Sequence, residues 1–157
     1  MPRYILAPYV ATPPDVVARL LALAEVGSTD RVYDLGCGDG RVVIAAASEC
    51  GATGVGIDIE PWWIDQARAA AEAAGVADRV AFRTEDALDC DVSAASVVFL
   101  YLVEWAMERI APALRRQLAP GTRLVSLSFP IEGWTPTREH RFVDAEGTQR
   151  VLYLWTL

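Results

Sequence analysis

Three carboxylates recur at comparable points in this chain. Asp34 comes late in the run Arg31-Val32-Tyr33, Asp58 closes "GVGI" (54–57), and Asp86 follows "AFRTE" (81–85). Just past the first of them, Gly36, Gly38 and Gly40 alternate within "VYDLGCGDGR" (32–41). Glycines at that density let a backbone turn tightly and approach a ligand closely. A dinucleotide pyrophosphate suits such a turn, but Asp34 before it and Asp39 inside it would repel phosphate. The third glycine also comes one residue earlier than in G-x-G-x-x-G. Two acids beside a bare turn favour a ligand that presents a cation. Asp58, 22 residues beyond Gly36, has the type and position to accept hydrogen bonds from a ribose diol. With Asp86 the set suits a molecule carrying an ammonium group, a ribose and an adenine amino group.

Periodicity predicts the elements that would hold these groups. A helix over 11–27 has Thr12 as its cap, Pro13 in its first turn and Gly27 as its stop. A strand is expected at 31–35, a turn and a second strand within 51–59, a third strand followed by a polar loop at 79–87, and helices at 41–50 and 61–75. The apolar run 95–103 reads as a strand covered on both faces. A helix marked by Ile110, Leu114 and Leu118 follows, then a strand at 122–129. Two last strands, 139–145 and 149–157, flank a turn at Glu146-Gly147-Thr148. The alternation predicts one α/β domain over 1–157: a doubly wound, mostly parallel seven-stranded sheet with an antiparallel hairpin at its C-terminal end. Ligands of such sheets lie beyond the carboxyl ends of the strands.

The bulk numbers narrow the partners. Net charge is -7 and lysine is absent, so all 14 cations are Arg, a bias that genomic composition explains. An acidic chain argues against nucleic acid held by phosphate neutralisation and fits a basic partner. Cys37, Cys50 and Cys90 have no metal-ligand spacing, and His140 is the single histidine, so no metal site is expected. The start has no signal-peptide pattern, and "VSAASVVFLYLV" (92–103) is too short to cross a bilayer. A reduced, cytoplasmic protein is the expectation, as a monomer or weak dimer with no membrane span.

At these residues the sequence resembles the class I, Rossmann-like methyltransferases that use S-adenosylmethionine. "VYDLGCGDGR" is similar to their motif I, "GVGIDIEP" to their motif II and "RTEDAL" to their adenine-side loop. The resemblance implies that Asp34 and the turn through Gly36, Gly38 and Gly40 hold the methionine part. It implies Asp58 on the ribose, Ile59 against adenine, and Asp86 and Ala87 at the adenine edge. "PYVATPPDVV" (8–17), "DIEPWW" (58–63) and "SFPIEGW" (128–134) are similar to bacterial relatives of the ATP synthase c-subunit lysine methyltransferase family. That family in turn resembles the non-SET histone-lysine methyltransferases. By this analogy residues 1–12 form an arm from which Tyr9 and Thr12 close over the cofactor. The hydrophobic anchor of the eukaryotic members is missing, which sets a membrane-embedded substrate in doubt.

Methyl transfer is an in-line displacement whose reactivity the cofactor brings, so the protein mainly aligns the nucleophile and excludes water. No Cys nucleophile or His base is needed. A lysine acceptor must first lose its proton, and desolvation in an aromatic slot favours that loss. The slot is expected from "LYLVEW" (100–105) and "SFPIEGW", with Tyr101, Glu104, Phe129 and Trp134 as catalytic candidates and Tyr101 also against the cofactor. Trp105 and Trp134 are equally explained by packing. One of Trp62 and Trp63 packs on the sheet while the other flanks adenine. The reading is a protein-lysine methyltransferase; the alternatives are a small-molecule amine or hydroxyl acceptor, or a non-catalytic S-adenosylmethionine-binding protein.

Overall fold

Each apolar run that leads to an acid becomes a parallel strand. Residues 10–157 are described in the computed structural model, and the expected position of Tyr9 lies outside them. The elements run α1 (Pro14–Leu23), β1 (Arg31–Leu35), α2 (Arg41–Cys50), β2 (Thr53–Asp58), α3 (Pro61–Ala73) and β3 (Val80–Thr84). They continue through β4 (Val97–Leu100), α4 (Glu104–Gln117), β5 (Arg123–Leu127), β6 (Arg138–Val143) and β7 (Gln149–Thr156). One seven-stranded sheet has the order β3-β2-β1-β4-β5-β7-β6. Strands β1 to β5 are parallel, and β7 runs antiparallel to both β5 and β6. The chain steps outward from β1 to β3, then returns to place β4 on the other side of β1. That reversal makes β1 and β4 the switch point of the sheet, beyond whose carboxyl ends a ligand belongs.

Strict alternation of side chains divides the core in two. Val32, Val97, Phe99, Leu127, Leu152 and Leu154 pack with α1, α2 and α3 on one face. Leu35, Val98, Leu100, Leu124, Tyr153 and Trp155 pack with α4 on the other. Phe99, Leu100, Leu124 and Leu127 are fully buried, as expected for central strands covered on both sides.

The start of α1 differs from the expected one. Pro13 is the N-cap and Pro14 opens the helix, so Thr12 lies one residue too early to cap it. The helix also stops before Gly27. Glu25 takes φ 53°, its N–H donates to Ala22 O, and the Val26 N–H donates to Leu21 O. This is a Schellman closure with Glu in the left-handed position that Gly usually fills. In α3 the same closure falls on Gly75, where the sequence predicts it.

Candidate active site

The glycine turn is stitched to the next strand. Gly36, Gly38 and Gly40 have φ of 87°, 53° and 79°, all in the region that side chains disfavour. The N–H groups of Gly36 and Cys37 both donate to Ile57 O, at 2.7 and 2.9 Å. Gly40 is the N-cap of α2, and a Cβ there would lie 2.7 Å from the Phe82 ring. Cys37 is buried, and burial above all pushes its thiol far up, which makes it a small filler of the turn.

Asp34 and Asp58 meet at this turn in different states. The Asp58 carboxylate accepts the Gly38 N–H and the Glu60 N–H, each at 3.0 Å, while the side chain stays half-buried. Asp34 is only 3 % exposed, and no hydrogen bond from a described residue reaches its carboxyl group. Burial raises its pKa to about 8, with the Asp58 and then the Asp39 charge adding to the effect. A buried carboxyl group without a donor is costly unless a partner arrives.

Asp39 needs a correction. Its carboxylate is gripped by Arg41, with Nε to Oδ1 at 3.1 Å and Nη2 to Oδ2 at 2.7 Å. Asp39 is therefore compensated within the chain, and the acid of the turn whose charge is not compensated by any described residue is Asp34, which burial keeps protonated below about pH 8. Nη1 of the same guanidinium donates to Thr12 O at 3.0 Å, tying the segment ahead of α1 to the turn. Neither contact has a periodic signature: the fork spans two residues, and the Thr12 link joins segments far apart in the chain.

The other expected positions divide. Ile59, Asp86 and Ala87 are half-buried at the ends of β2 and β3, and the Glu85 N–H donates to Asp58 O at 3.1 Å, joining the two loops. Asp86 turns its own loop by accepting the Leu88 N–H at 2.9 Å. Tyr101 leaves β4 beside Gly36, since Leu35 pairs with Leu100, and its ring packs on the α1–α2 face. Phe129 follows a Ser128 with φ 73°, and its carbonyl accepts the Ser126 hydroxyl at 2.7 Å. Glu104 is exposed at the first turn of α4. Of the tryptophan pair opening α3, Trp62 is 61 % exposed and Trp63 half-buried.

Trp134 does not join them. Its ring lies edge-on to Trp155 at 6.4 Å and under the Arg115 guanidinium at 4.5 Å. Trp155 pairs with Leu124 near the start of β5, and Arg115 is in the last turn of α4. Both mark the amino end of the sheet. The loop after β5 thus folds back over the α4 face to bury its tryptophan, away from Tyr101.

A buried carboxyl group that no described residue partners, a left-handed glycine turn and a second carboxylate on the neighbouring strand give this edge the means to hold a cationic nucleoside. The ANTKMT methyltransferase domain matches residues 34–138, which include the turn and the ends of β2, β3 and β4. The chain belongs to the ANTKMT methyltransferase family. A protein-lysine N-methyltransferase of Saccharolobus islandicus (strain REY15A) is 40% identical over 151 residues, covering 96% of this chain and 93% of its own length. The mouse adenine nucleotide translocase lysine N-methyltransferase is 32% identical over 152 residues, and this chain spans 64% of it. Among solved structures, a Salinibacter ruber protein described as an RNA methyltransferase, in complex with S-adenosyl-L-homocysteine, is 49% identical with a TM-score of 0.87, covering 94% of this chain and 93% of that one. Within this family domain the matching segment starts at Asp34 itself and ends before most of the β6–β7 hairpin.

Proposed function

We propose that this ANTKMT-family chain is an S-adenosylmethionine-dependent protein-lysine N-methyltransferase. The observation that carries the cofactor reading is Asp34: a buried carboxyl group without a hydrogen bond from any described residue, two residues before a left-handed glycine turn. Asp34 would receive the cationic methionine end, and the glycine turn would let the backbone come close. Asp58 retains acceptor capacity for a ribose diol beyond its two backbone donors. Ile59, Asp86 and Ala87 would meet the adenine. The cofactor supplies an activated methyl group on a sulfonium. Tyr101 packs on the α1–α2 face and Phe129 with the α4 cluster on the other, so from adjacent strand ends they would wall the acceptor from two sides and keep water out, with Glu104 drawing in its basic side chain.

Lysine is favoured as acceptor by the lysine methyltransferases among the relatives and by charge. Glu60 follows β2, Glu85 and Asp86 follow β3, and Glu104 opens α4 after β4, a setting that attracts a basic protein segment. The description of the Salinibacter ruber protein favours a second reading, RNA, and the net charge of -7 opposes it. No described helix is long and apolar enough to cross a membrane. We read the site of action as the cytoplasm, with the enzyme a monomer or weak dimer.

The test is transfer from radiolabelled S-adenosylmethionine to a basic protein extract, to total RNA and to a pool of small amines. Because the chain contains no lysine, methyllysine found by mass spectrometry must come from the added protein. Methyllysine in the extract is expected. Label confined to RNA or to small amines would overturn the acceptor, and no binding of S-adenosylhomocysteine would overturn the whole reading.

A further inference from the structure

The last strand brings a charge to the edge of the crevice that the parallel strands alone would not supply. Because β7 is antiparallel to β5, its first residues overhang the carboxyl end of the sheet. Leu152 pairs with Leu127, and the Ser128 N–H donates to Val151 O at 2.9 Å, which sets Arg150 just past the end of β5. Alternation puts Arg150 on the face of Leu152 and Leu154, the same face as Phe99 and Tyr101 on β4. Two strand spacings, about 10 Å, separate the two backbones, a gap that an arginine and a tyrosine reaching toward each other close. The Arg150 guanidinium is held above its ordinary pKa by its hydrogen bond to Asp144, against desolvation, with the Tyr101 hydroxyl as a further partner.

Asp144 keeps that guanidinium in place. Its Oδ2 accepts Arg150 Nε at 2.9 Å, and its Oδ1 accepts the Glu146 and Thr148 N–H groups, each at 2.9 Å. The Thr148 N–H first, and the Arg150 side chain next, hold Asp144 below the usual carboxylate range. The Asp144 side chain is fully covered and that of Arg150 is 15% exposed. The turn is tied in addition to α1, where Asp15 Oδ2 accepts the Ala145 N–H at 2.8 Å. Such a bracket fixes the direction of one guanidinium.

We propose that Asp144 and Arg150 are a positioning pair for the Tyr101 hydroxyl on the acceptor side of the crevice. Arginine only donates, so the tyrosine oxygen would accept from it, leaving the other lone pair and the O–H for the incoming amine. A fixed cation there also favours the neutral, nucleophilic form of an amine acceptor over its ammonium. Both residues lie beyond the segment that the family domain matches. The inference rests on the proposed place of Tyr101 beside the acceptor.

The experiment compares Tyr101→Phe, Arg150→Gln, Arg150→Lys and the Tyr101→Phe/Arg150→Gln double variant, each checked for folding by circular dichroism and thermal melting. Label transfer to the basic protein extract is followed across pH, and S-adenosylhomocysteine affinity is measured by calorimetry. Arg150→Gln is expected to lower kcat by roughly 10- to 100-fold with cofactor affinity unchanged. Its activity is expected to recover at higher pH, because the acceptor amine has lost the cation that disfavoured its charged form. Arg150→Lys should recover part of the rate, and the double variant should be no slower than the slower single one. A folded Arg150→Gln with wild-type kcat and pH profile, beside a slowed Tyr101→Phe, overturns the positioning pair and spares the acceptor reading. Unchanged turnover in Tyr101→Phe overturns the acceptor role of Tyr101 and the pair with it.

Discussion

The Asp58 charge acts on Asp34 beside the glycine turn, and of the two only Asp58 accepts hydrogen bonds from described residues. Asp58 accepts two backbone N–H groups, while Asp34 is buried without a hydrogen bond from any described residue and titrates near 8. Below about pH 8 Asp34 therefore carries a proton, which a bound cation would displace.

Cofactor affinity should follow that proton. Below pH 8 a cationic ligand must displace it, so affinity is expected to rise with pH, by up to about tenfold per unit, and to level off above 8. Calorimetry at pH 6.5 in buffers of different ionisation enthalpy should show proton release. Stability runs the other way. Between 3.8 and about 8 the empty folded protein keeps a proton that the unfolded chain gives up, so its stability falls as pH rises through that window. Asp34→Asn should flatten both dependences and stabilise the empty protein at pH 8.5 by about 1–3 kcal/mol, while abolishing tight binding. Melts of Asp34→Asn with the wild-type pH slope would refute this.

Asp58→Asn tests the coupling from the other side. It removes the larger of the two charges acting on Asp34, so the levelling-off point of the affinity curve should move to lower pH. Affinity itself should weaken by about 1–3 kcal/mol, the scale of a lost charged hydrogen bond. Equilibrium binding across pH checks both. An unmoved curve with reduced affinity would separate ribose binding from the electrostatic coupling.

Arg41 joins the turn to the chain ahead of α1 through the Thr12 carbonyl. Its side chain is 36% exposed, so its ion pair with Asp39 contributes little to stability, on the order of 1 kcal/mol or less. Arg41→Gln should therefore melt close to wild type yet raise KM for S-adenosylmethionine, because the turn loses its clamp. A large drop in melting temperature with unchanged KM would instead make Arg41 a fold residue.

What the sequence made legible was whatever one element decides by itself. The strand that carries Asp34 near its end, the left-handed stop at Gly75 and the acid closing β2 each depend on residues within a few positions. What escaped depends on partners. The compensation of Asp39 needs the Arg41 rotamer, and the arrival of Arg150 at the carboxyl edge needs the antiparallel register of β7 against β5. The stop at Glu25 needed a non-glycine residue to accept φ 53°, which no composition rule signals.

Trp134 shows the same dependence and carries the last prediction. Its place after β5 suggests a wall of the acceptor slot, but its ring closes on Trp155 and Arg115 at the amino end of the sheet. The Trp155 indole N–H donates to the Trp134 carbonyl at 3.3 Å, so backbone and ring are both fixed there. Removing the ring should uncover apolar surface on the α4 face and cost about 2–4 kcal/mol, less than the full core value because Trp134 is only half-buried. The folded fraction of Trp134→Ala should keep wild-type kcat and cofactor affinity, since its ring partners Trp155 and Arg115 lie at the amino end of the sheet, away from Tyr101 and Asp34. Thermal melts with active-site titration separate the two effects. A variant that melts normally but turns over slowly would return Trp134 to the acceptor slot and refute the placement of this loop.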